Sequence, residues 1–185
     1  EAEKAFEGWF EQEPVRAHVA IALDHLNAGR TAEAIKTLRN ILPIRPDHVD
    51  ALHALARVHW GDEQRNSDVE ALLRRVIELS PAHVPAWAML GALLHETDRT
   101  EEAIACFLRL VELDPANVGG WSGLGAAYAR IGNVAKGAEA YKQSIMLQPD
   151  LPGTHMSLAH ELKTLGKQAE ALREYRAAIA LKPDF

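Results

Sequence analysis

The chain has 185 residues, 48% of them apolar, enough to bury a substantial core. Its net charge of -6 and sequence pI of about 5.8 speak against a binder of nucleic-acid phosphates, in which Lys and Arg are in clustered excess. The single cysteine, Cys106, precludes an intramolecular disulfide and fits a reducing, cytoplasmic setting, and no apolar run reaches the roughly 18 residues of a membrane helix.

Residues 1–14, "EAEKAFEGWFEQEP", read as an N-terminal aromatic tail or capping helix. Phe6, Trp9 and Phe10 stand at i, i+3 and i+4 and so share one helical side. A helix this short is marginal alone in water and needs a surface. That surface is either the open face of the first unit or a groove, of the same or a neighbouring molecule, which would make the tail a route to a homo-oligomer.

Beyond the tail, prolines mark an internal repeat. Pro46 is followed by Pro81 after 35 residues, and then by Pro115, Pro149 and Pro183 at steps of 34. The units are 15–48, 49–83, 84–117, 118–151 and 152–185, with the extra residue of the second placed in the turn "WGDEQRNSD".

Each unit is long enough for two helices. Trp87, Leu90, Gly91 and Leu94 gather on one face of a first helix, and Ala103, Phe107 and Leu110 on one face of a second, with Gly91 and Ala103 small enough to let the two approach. Gly29, Gly132 and Gly166, with Asp98 in the third unit, stand where the turn between helices asks for positive φ. The closing proline of each unit then removes a backbone donor and ends the second helix. In the second unit, Ser67-Asp-Val-Glu70 offers a capping box and the longer turn is expected to bulge.

The stretch "WSGLGAAYARIGNVAKGAEAYKQSIMLQP" resembles the tetratricopeptide repeat, and the likeness extends over residues 15–185. It implies an all-α fold, a right-handed superhelical α-solenoid of five helix-turn-helix repeats, and a protein- or peptide-binding role through a groove lined by first helices. A narrower resemblance lies in "MSLAHELKTLGKQAEALREYRAAIALKPDF". There "LKTLG", "EYRAAI" and "KPDF" are similar to the last repeat of bacterial proteins in which such repeats precede a sulfotransferase domain. This implies an alternative role as the N-terminal regulatory or substrate-presenting arm of a sulfotransferase. It also implies a parent cut at a repeat boundary, leaving Leu172, Tyr175, Ile179 and Leu181 partly uncovered.

No catalytic, cofactor-binding or metal-binding residue emerges. None of the nine histidines forms the i, i+4 pair of a helical zinc site, and His18, His25, His59 and His155 fall at interhelix packing positions. Cys106 lies on an apolar helical stretch with no cationic neighbour in sequence and reads as core.

The resemblance places a groove at Arg57 and Trp60 in the second unit, Ala88, Ala92 and His95 in the third, Ser122, Ala126 and Arg130 in the fourth, and Met156, His160 and Lys163 in the fifth. The small residues leave room for a partner segment. The rim of Trp60, His95, Arg130, His160 and Lys163 implies one that is apolar with some acidic character.

Overall fold

The computed structural model describes residues 17–183, and among these every regular element is helical. Helical residues 17–27 (α1) are followed by α2 (Thr31–Ile41), α3 (Val49–His59), α4 (Asn66–Leu79), α5 (Val84–Glu96), α6 (Thr100–Leu113), α7 (Val118–Arg130), α8 (Val134–Leu147), α9 (Pro152–Thr164) and α10 (Gln168–Leu181). The aromatic tail with Phe6, Trp9 and Phe10 lies outside the described residues. The chain divides into two compact units, residues 1–86 and 87–185.

In the first unit, Val19 and Ala22 of α1, Leu38 and Ile41 of α2, and Ala51 and Ala54 of α3 form a buried cluster, with Leu55 and Val58 packed against it. Val69, Leu73 and Val76 bury the inner face of α4. In the second unit, Ala138 and Tyr141 of α8 meet Leu158 and Leu162 of α9 and Ala171 of α10. Cys106 is 6% exposed, among the core residues of α6.

The turns between paired helices repeat one geometry. Gly29, Gly132 and Gly166 adopt φ of 73°, 74° and 75°, and Asp98 takes the same left-handed conformation at 60°. In each, the residue after the left-handed one donates its N–H five residues back: Arg30 to His25, Arg99 to Leu94, Asn133 to Tyr128 and Lys167 to Leu162, at 2.8–2.9 Å. This satisfies carbonyls that the helix end would otherwise leave open.

The turn of the second repeat (49–83) differs, as its extra residue demands. Gly61 is left-handed there (φ 87°), and a 3-10 turn at Glu63–Arg65 leads directly into α4. The capping box at Ser67 and Glu70 does not form at the helix start. The Asn66 N–H is already bonded to the Glu63 carbonyl, so Ser67 is inside the helix rather than in the extended conformation a capping residue needs. Asp62 instead accepts the Gln64 N–H at 3.1 Å.

Tight helix pairing within the second unit depends on missing side chains. A Cβ on Gly125 of α7 would lie 2.6 Å from the Tyr141 ring of α8, and one on Gly91 of α5 would lie 2.7 Å from the Phe107 ring of α6. On α10, Leu172, Ile179 and Leu181 are 50%, 52% and 43% exposed, while Tyr175 is half-buried.

Candidate binding groove

Between α5 and α7, above α6, lies a cavity of about 420 Å³. Ala88, Ala92, His95 and Glu96 form one wall, Gly119, Ser122, Gly123 and Ala126 the other, and Phe107 and Leu110 the floor, with Asn117 at one end. The space follows from residue size. Alanine, serine and glycine recur at intervals of three or four along both walls, so each helix turns its smallest side chains to the gap. Five of the eleven residues proposed from sequence, Ala88, Ala92, His95, Ser122 and Ala126, are thus brought together on one surface.

The other six lie elsewhere. Arg130 ends α7, where its Nη1 donates to the His95 carbonyl and to Asp98 Oδ1, both at 2.7 Å. Met156, His160 and Lys163 lie on α9, with the His160 ring edge-on to Tyr175 at 5.5 Å between centroids. Arg57, in the first unit, donates to Asn27 Oδ1 at 3.4 Å, and Trp60 sits past the end of α3, 37% exposed.

Two members of the expected basic rim are altered by their surroundings. Burial, and then the neighbouring Arg130 guanidinium, lower the pKa of His95 below the ordinary histidine value, so the ring is neutral at pH 7. Arg130 is already engaged by Asp98. The charged side chain lining the cavity is the acid Glu96.

The histidines expected at packing positions divide. His155 is 8% exposed, with Nε2 facing the Pro149 carbonyl at 2.9 Å and Nδ1 facing Glu174 Oε2 at 2.7 Å. One repeat earlier, the Trp121 indole N–H donates to the matching carbonyl of Pro115 at 2.9 Å, so His155 occupies a tryptophan's place in the register. His25 accepts from Arg30 Nε at 3.0 Å, and His59 faces Arg65 Nη1 at 3.4 Å. His18 is exposed, because α1 turns Val19 and Ala22 rather than His18 to its partners.

Sequence reasoning passed over His48 and His83, which open α3 and α5 as capping residues. The signal was present. Each stands two places after a helix-closing proline, the position that Asn117 holds before α7.

These helix pairs and their shared turn define an all-helical repeat array. Models of the tetratricopeptide repeat match residues 72–105, 91–132 and 152–185, so the chain carries tetratricopeptide repeats. No curated protein matches it. Among solved structures, a crystal structure of MamA protein is similar at a TM-score of 0.81 and 22% identity, covering 93% of each chain. MamA 41-end from Desulfovibrio magneticus RS-1 is similar at a TM-score of 0.81 and 20% identity, covering 91% of this chain and 95% of that one. At these identities the likeness is one of fold, and it places the chain in the α-solenoid class. The sulfotransferase resemblance of residues 156–185 finds no counterpart among these matches.

Proposed function

We propose that the chain is a non-catalytic binding scaffold that takes a protein segment into the groove between α5 and α7, in a cytoplasmic setting. The observation that carries this reading is the cavity of about 420 Å³ walled by Ala88, Ala92, Ser122 and Ala126 over the Phe107 ring. Removing apolar surface from water supplies the affinity, at about 25 cal/mol per Å² before the costs of association. The acidic character assigned to the partner rests on Lys163 of α9, since His95 is neutral and Arg130 is held by Asp98. Met156 carries the same reading onto α9, and Arg57 and Trp60 are proposed as binding residues of the first compact unit, separately from this groove. The aromatic stripe Phe6, Trp9 and Phe10 has the composition of a groove ligand, so a second copy of the chain is one source of the segment.

Selection of displayed peptides on the immobilised chain tests the reading. Enriched peptides should bind the unaltered chain and lose about tenfold or more in affinity to Ser122→Leu, which narrows the cavity from a wall residue outside the core cluster, with the unfolding temperature measured alongside. Enrichment indifferent to Ser122→Leu would remove the groove from the account. Light-scattering mass with and without residues 1–13 then identifies or dismisses the second copy as ligand.

A further inference from the structure

The residue two places after each helix-closing proline opens the next first helix: His48 before α3, His83 before α5, Asn117 before α7 and Leu151 before α9. Asn117 caps through its amide oxygen, which accepts the Gly120 N–H at 2.9 Å. At two sites an imidazole performs the same task. His48 Nδ1 accepts the Ala51 N–H at 3.4 Å, and His83 Nδ1 accepts the Ala86 N–H at 3.1 Å, sharing it with the His83 backbone carbonyl at 3.1 Å.

The two kinds of cap respond differently to protons. An amide oxygen accepts whatever the pH, whereas an imidazole nitrogen accepts only while it is unprotonated. A proton on Nδ1 would set N–H against N–H and place a positive charge at the positive end of the helix dipole.

The surroundings add to this sensitivity. The His53 ring meets the His83 ring edge-on, with centroids 4.8 Å apart, and His53 Nε2 is buried without a hydrogen-bond partner. A charge on His83 therefore arises beside a buried imidazole that is itself a poor host for one. Burial, His83 and Arg57 all oppose a charge on His53, and Asp50 alone among the groups acting on it favours one. Beside His48, Asp47 is held by Arg75 of α4 at 2.7 Å.

We propose that His48 and His83 are proton-sensitive helix caps, which hold the first turns of α3 and α5 through an unprotonated Nδ1 and lose that bond when Nδ1 takes up a proton. Asn117 keeps α7 outside this response. Because α5 carries Ala88 and Ala92, proton uptake at His83 acts on the helix that forms one wall of the groove.

Amide exchange of the full chain, corrected for intrinsic rates, tests the proposal at about pH 7.5 and about pH 5.5, on either side of the ordinary histidine range. Protection of the Ala51 amide should fall about fivefold or more at the lower pH, and that of Ala86, which keeps the His83 carbonyl as acceptor, should fall by less, while that of Gly120 holds. The His48→Asn/His83→Asn double variant should keep its protection at both. Equal protection at both pH values in the unaltered chain, or the same acid loss in the double variant, overturns the proposal. Imidazole nitrogen shifts of the unaltered chain give a reading that needs no variant. Both Nδ1 atoms must be unprotonated at the higher pH, and a proton on either overturns it.

Discussion

His53 shows how one buried ring makes stability depend on pH. Burial first, then His83 and Arg57, lower its pKa from 6.5 to about 4 in the folded chain. Above the unfolded value both states are neutral and the group contributes nothing. As pH falls from 6.5 toward 4, the unfolded chain binds a proton that the folded chain refuses, so stability declines with falling pH. The full linkage is about 3 kcal/mol, and the ring's partial exposure reduces it to roughly 1–2 kcal/mol. Urea midpoints on either side of this window should therefore converge in His53→Leu relative to the unaltered chain. An unchanged pH slope in that variant would show that another group carries the dependence.

Where α7 crosses α8, the packing distance is set by a residue that lacks a side chain. Gly125→Ala would place its Cβ 2.6 Å from the Tyr141 ring, which is 7% exposed and has little room to retreat. We expect a loss of about 1–3 kcal/mol from this overpacking. Gly132→Ala meets nothing within 4 Å yet forces an alanine to φ 74°, at a cost of about 1 kcal/mol. Gly153→Ala, in the open first turn of α9, should instead gain up to about 0.5 kcal/mol in helix propensity. Chemical denaturation of the three variants at one pH gives the order, and a neutral Gly125→Ala would show that the two helices can part without loss. The same register explains how much was legible beforehand. Prolines at steps of 34 residues, with glycines or Asp98 at the turns, are local features that any chain position displays, so helix pairing could be read from sequence. The entry into α4 could not, because whether Ser67 caps depends on how a 3-10 turn absorbs one extra residue.

At the scale of the molecule, the small residues of α5 and α7 that line the cavity follow the repeat and are visible in sequence, whereas the charges around it are not. Arg130 and Asp98 are 32 residues apart, and only folding brings them within 2.7 Å. The neutrality of His95 follows from burial, which sequence does not reveal. The caps of His48 and His83 lie between the packing positions, so the helical periodicity does not mark them. The Arg130–Asp98 pair has a consequence for any acidic segment that reaches the end of α7. Such a segment replaces a carboxylate that is already in place, and Asp98, 89% exposed on its side chain, is free to return to water. Added salt weakens the outgoing pair as much as the incoming one, so association through Arg130 should be nearly indifferent to ionic strength. Asp98→Gly, which keeps the left-handed turn and removes the competitor, should restore an ordinary salt dependence. Titrations of an acidic peptide against both forms at low and high salt would show the exchange as a difference in slope.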